Sequence, residues 1–125
     1  MKLSCVMVVD DSDADQFMSE ILLKEYNPDV EILQAYDGVE ALEMLKSAEK
    51  LPDLILLDIN MPRMNGFEFL EEYCSEKNED THAPVVVMLT SSAQNEDKAK
   101  AELYNCVKEY LEKPLSVENL QELSI

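Results

Sequence analysis

The chain of 125 residues has no tryptophan, two glycines, one histidine and three cysteines, and these scarcities remove several functions before any motif is read. Gly38 and Gly66 cannot make the glycine-rich loop that cradles a nucleotide or flavin phosphate, and neither follows the first strand-like segment, where such a loop belongs. His82 stands alone, and Cys5, Cys74 and Cys106 are distant from one another with no C-x-x-C spacing, so a structural zinc site is excluded. Three such cysteines are expected to stay reduced and mostly buried as small apolar side chains. Basic residues are also few. Ten Lys and Arg against 27 Asp and Glu leave a net charge of −17, which repels nucleic acid and anionic membranes and favours basic partners and multivalent cations. No apolar run reaches the roughly 18 residues of a membrane span. The start "MKLSCVMVVDD" turns acidic too early for a secretory signal, so a cytoplasmic location is expected.

What is present is a regular alternation, and residues 1–125 are expected to form a single domain with no attached output domain. "LSCVMVV", "VEIL", "DLILLD", "VVVML" and "VKEYLEKP" read as five strands. Between them lie helix-patterned segments. The first carries Ala14, Phe17, Met18, Ile21 and Leu22 at helical spacing and stops at Asn27 and Pro28. The second has Ala41, Leu42 and Leu45 on its apolar face, the third Phe67, Leu70 and Cys74, and the fourth, which Asn95 can cap, Ala99 and Leu103. Ser116 caps a short fifth helix. Strands and helices in this order predict an α/β fold with a parallel sheet and right-handed crossovers.

In such a sheet ligands bind beyond the carboxyl ends of the strands, and the residues found there are unusual. The first strand ends in Asp10 and Asp11, the third in Asp58 and the fourth in Thr90, and the fifth is followed by Lys113 and Pro114. Three carboxylates about 4 Å apart would repel by about 4 kcal/mol per pair at an effective dielectric of ~20. An oxygen-only donor set of this charge suits Mg²⁺, with Mn²⁺ able to substitute. Lys113 adds a point charge for an anion and Thr90 a hydroxyl donor. These are parts for phosphoryl transfer with a carboxylate nucleophile. Singly, an Asp after a strand is more often a cap or turn residue; it is the joint placement that carries the reading.

The combination of "VVDDSD", "LLDINMPRMNG", "MLTSS" and "YLEKP" resembles the receiver domain of bacterial two-component response regulators, over essentially the whole chain. The resemblance implies a doubly wound, flavodoxin-like (βα)5 fold with strand order 2-1-3-4-5. It implies that Asp58 accepts a phosphoryl group from a phosphohistidine, on a sensor histidine kinase or a histidine phosphotransfer protein. Asp11, Asp58 and the backbone carbonyl of Asn60 would hold Mg²⁺ directly, and Asp10 largely through water. Lys113 would hold a phosphoryl oxygen, Thr90 and Tyr110 would form the switch, and Asn60 and Ser92 occupy positions that tune dephosphorylation. Beyond that the resemblance implies an unidentified downstream protein target, and a monomer or weak dimer through the face of the fourth helix, fifth strand and fifth helix.

Other readings are weaker. Asp11, Asp13 and Asp15 mimic the start of a calcium loop, but Gln16 and Leu22 stand where glycine and glutamate are needed, so Asp13 and Asp15 are read as first-turn helix acids. An aspartyl-phosphate phosphatase would want an acid where Asn60 lies. A degenerate receiver, binding proteins without phosphorylation, would be expected to have lost an acid, the threonine or the lysine, and all are present.

Overall fold

The computed structural model describes residues 4–47, 51–59, 64–77, 85–90, 99–104, 106–113 and 115–122, with backbone alone for 74–77. In chain order the elements are β1 (Cys5–Val9), α1 (Asp13–Tyr26), β2 (Glu31–Ala35), α2 (Gly38–Ser47), β3 (Leu54–Asp58), α3 (Gly66–Lys77) and β4 (Val85–Thr90), followed by α4, whose described residues are 99–101, β5 (Val107–Glu112) and α5 (Val117–Glu122). All neighbouring strands pair in parallel, in the order β2-β1-β3-β4-β5. The expected doubly wound fold and its strand order are therefore observed.

Every residue of β1 and β3 is buried, as continuous apolar runs require in a sheet covered on both faces. Alternate side chains feed two cores. Met7, Val9, Ile55, Leu57, Val86 and Met88 face α2 and α3 through Leu42, Leu45, Phe69 and Leu70. Val6, Val8, Leu54, Leu56, Val87 and Leu89 meet Leu23 of α1 and Leu120 of α5 on the other side. Each such side chain contributes about 1.5–3 kcal/mol by leaving water. This stiff, two-sided packing turns the carboxyl ends of β1 and β3 into fixed mounts.

Two helix faces differ from expectation. In α1 the buried residues are Gln16 and Leu23, seven apart, while Phe17, Met18 and Ile21 are 60, 61 and 47% exposed and Ala14 is also exposed. A polar contact sets this rotation: the Gln16 Nε2 group reaches the carbonyls of Val8, Asp10 and Ala35 at 3.0, 3.0 and 2.8 Å. Ser12 fixes the start of the helix by accepting from the Asp15 N–H at 3.2 Å. At α4 it is Ala101 that is buried, whereas Ala99 is exposed and Leu103, just beyond the helix, is 81% exposed. The apolar faces expected for α2 and α3 are buried at Ala41, Leu42, Leu45, Phe67 and Leu70. Ser116 caps α5, accepting from the Asn119 N–H at 3.1 Å. Cys5 is a buried thiol outside any disulfide, but Cys106 is disulfide-bonded, a correction to the expectation of reduced cysteines. Separation along the chain does not tell which thiols a fold brings together.

Candidate functional site

The site lies at the carboxyl edge of the sheet, where β1, β3, β4 and β5 end side by side. Asp10, Asp11 and Asp58 each offer a carboxylate oxygen, and these oxygens all lie within 4.8 Å of one another. Asp10 and Asp58 are buried and Asp11 is exposed. The Asp10 N–H donates to the Ala35 carbonyl at 3.0 Å, and its Oδ1 accepts from the Ser12 N–H at 3.0 Å, so both its backbone and its side chain are fixed.

Lys113 follows β5, and its backbone N–H donates to the Thr90 carbonyl at 2.7 Å. The ammonium lies 2.7 Å from Asp10 Oδ2, 2.7 Å from Asp15 Oδ2 and 3.6 Å from Asp58 Oδ1. Burial pushes the Asp58 carboxyl up to about 6, and the charges of Asp10 and Asp11 push the same way; Lys113 and the Ile59 N–H oppose them. For Lys113, burial alone would lower the pKa. Its hydrogen bonds to Asp10 and Asp15, with the Asp58 charge, outweigh that and hold it above the ordinary lysine range.

Thr90 is buried at the end of β4. Met88 pairs with Tyr110 and Thr90 with Glu112, so the period of two along each strand puts Thr90 and Tyr110 on one face of the sheet as diagonal neighbours. Tyr110 packs against the core that contains Met88. Gly66, the first residue of α3, lies beside the nucleophile candidate. The Gly66 N–H donates to the Ile59 carbonyl at 2.9 Å, and a Cβ at Gly66 would sit 2.7 Å from the Asp58 carbonyl oxygen. Only glycine allows that approach.

The structure thus brings together Asp10, Asp11, Asp58 and Lys113, with Thr90 on the adjoining strand end. Asn60, Ser92 and Pro114 lie outside the described residues. Two contributors went unrecognised in the sequence. Asp15, read there as a helix-dipole acid, bonds Lys113, and Gln16, an unremarkable polar residue, ties the ends of β1 and β2 together. Gln16 lies on the side of α1 turned away from Met18 and Ile21, so the apolar pattern carried no signal for it. Nothing in the sequence foretold the reach of Asp15.

The family model described as the response regulator receiver domain matches residues 6–124. The chain belongs to this family. It is 38% identical over 117 residues to protein PilG of Pseudomonas aeruginosa, covering 92% of this chain and 80% of that protein. It also matches the sensor histidine kinase CheAY of Helicobacter pylori, 36% identical over 115 residues, or 92% of this chain. The chain spans only 14% of CheAY, and 7% and 11% of two other histidine kinases. Among solved structures, a two-component response regulator from Cytophaga hutchinsonii superimposes with a TM-score of 0.83 at 30% identity, covering 99% of this chain and 96% of the other. Receiver domains are the phosphoacceptors of two-component signalling, and the acidic cluster at the strand ends is compatible with a metal. No helix among the described residues is long and apolar enough to cross a membrane.

Proposed function

We propose that this chain is a phosphorylatable receiver in which Asp58 takes a phosphoryl group from the phosphohistidine of a sensor kinase or a histidine phosphotransfer protein. The observation that carries the reading is the convergence of Asp10, Asp11 and Asp58 on one point with Lys113 the one ammonium against them among the described residues. Burial first, and then the charges of Asp10 and Asp11, make the ionised form of Asp58 costly and raise its carboxyl to about 6, against the opposing pull of Lys113.

The oxygen-only cluster fits Mg²⁺, or Mn²⁺ in its place, held by Asp11, Asp58 and the Asn60 carbonyl, with Asp10 acting through water. When bound, the cation supplies positive charge for the carboxylates and for a phosphoryl oxygen. Asp58 is the nucleophile: a carboxylate oxygen bonds to phosphorus, the phosphorus–nitrogen bond to imidazole breaks, and the imidazole leaves with the electron pair. A group that titrates at about 6 is ionised and competent at neutral pH. Lys113 donates an N–H to a phosphoryl oxygen, and the Thr90 hydroxyl turns to another. Tyr110 then moves into space vacated on the face it shares with Thr90, which alters the surface of α4, β5 and α5 that a downstream protein reads. Asn60 and Ser92 tune the lifetime of the phosphorylated state. In this reading the protein is cytoplasmic and acts on no substrate other than itself, as a monomer or a weak dimer through that surface.

The test is incubation with acetyl phosphate and Mg²⁺ followed by intact-mass measurement. The wild type should gain one phosphoryl group that hydroxylamine removes, and Asp58→Asn should gain none. A wild type that gains nothing would refute the reading and leave a receiver that works by binding alone.

A further inference from the structure

The contact that the proposed reaction leaves unused is the one between Asp15 and Lys113. An ammonium has three N–H donors. Two of those on Lys113 serve Asp10 and Asp15, each at 2.7 Å, and the carboxylate of Asp58 stands off at 3.6 Å. The two bonded acids are not equivalent. The side chain of Asp10 is 6% exposed and locked by the Ser12 N–H, so burial compels it to keep a cation. That of Asp15 is 43% exposed, in the first turn of α1, where water and the helix dipole could support it equally well. Its hold on Lys113 is therefore exchangeable, and it draws the ammonium away from Asp58.

We infer that Asp15 is a positioning residue that restrains Lys113, competing with the phosphoryl oxygen for the ammonium and thereby slowing phosphoryl transfer to Asp58. This rests on the phosphoacceptor reading above. No proton changes hands: as the phosphoryl group arrives, Lys113 stays charged and exchanges one hydrogen bond, while the Asp15 carboxylate turns to water. The chain would thus carry its own brake, an acid outside the three-carboxylate cluster that sets how readily the site accepts a phosphoryl group from a weak donor.

The test is the initial rate of phosphoryl gain from acetyl phosphate with Mg²⁺, read by intact mass, for wild type, Asp15→Asn and Asp13→Asn. Asp13 lies in the same helical turn and carries the same charge, but it bonds Tyr36 and serves as the control for net charge and helix dipole. Releasing one part-exposed ion pair should accelerate Asp15→Asn about fivefold, with Asp13→Asn at the wild-type rate. A rate at or below wild type for Asp15→Asn, or equal acceleration by Asp13→Asn, overturns the inference. A second measurement is independent of phosphorylation: Asp15→Asn should lower the unfolding midpoint by more in the wild-type background than in Lys113→Met, where only the helix-dipole contribution is lost. Equal shifts in both backgrounds overturn it too. A wild type that takes up no phosphoryl group refutes the phosphoacceptor reading itself, and is distinguished by appearing before any variant is compared.

Discussion

Replacing Asp58 by asparagine keeps the shape of the side chain and removes a charge from a crowded, buried cluster. The size of the effect follows from its titration. A carboxyl that titrates at about 6 instead of about 3.9 is penalised in its ionised form by 1.36 kcal/mol per pH unit, about 3 kcal/mol without screening. Solvent reaches part of the site through the exposed Asp11, so about 1–2 kcal/mol is expected in practice. Because the folded state raises this pKa, the protonated carboxyl favours folding. That contribution is complete below about pH 3.9, declines as the pH rises, and is gone above about 6. At pH 7.5 in chelator, Asp58→Asn should therefore melt about 4–8 °C above wild type, using about 4 °C per kcal/mol for a chain of this size. The assay is thermal unfolding followed by circular dichroism at pH 7.5 and 3.5. The gap should close at the lower pH, where wild-type Asp58 is also neutral, and should narrow at pH 7.5 when Mg²⁺ is added. An asparagine variant less stable than wild type at pH 7.5, or a gap that ignores pH, would refute the reasoning.

Mg²⁺ should raise the melting temperature of the wild type, by the equivalent of about 2.7 kcal/mol when present at 100 times its dissociation constant. Asp11→Ala should lose most of that shift in the same melting assay, and an unchanged shift would show that the cation binds elsewhere. Gly66→Ala should cost about 1–3 kcal/mol, because its Cβ would meet the Asp58 carbonyl oxygen at 2.7 Å and the Ile59 Cα at 3.1 Å. Gly38→Ala should lose less, since the atoms in its way belong to the flexible Met64 side chain. Denaturant melts that rank the two in the opposite order would contradict this.

Much of the site was legible because a strand buried on both faces is a continuous apolar run, and whatever polar residue ends it must sit at the sheet's edge. Asp10, Asp58 and Thr90 were found that way, and the structure buries each of them where its strand stops. The rotation of α1 was not legible. Counting apolar residues favours Phe17, Met18 and Ile21 as the buried face, but three carbonyls at the ends of β1 and β2 bind the Gln16 carboxamide, and these hydrogen bonds win over a modest apolar area. The role of Asp15 was invisible for another reason. Its partner is 98 residues away, and the match depends on where β5 ends relative to the first turn of α1.

The separation of Lys113 from Asp10 by 103 residues has a consequence for the order in which the protein is made. A chain emerging from the ribosome presents Asp10, Asp11, Asp15 and Asp58 before the lysine that offsets them. Until β5 pairs with β4, the edge of the sheet holds mutually repelling acids without Lys113. The nascent domain should then favour looser arrangements of β1 and β3, with their strand ends apart. Arrival of β5 both completes the sheet and brings Lys113 to the acids, so closure of the fold and assembly of the site would be one late event.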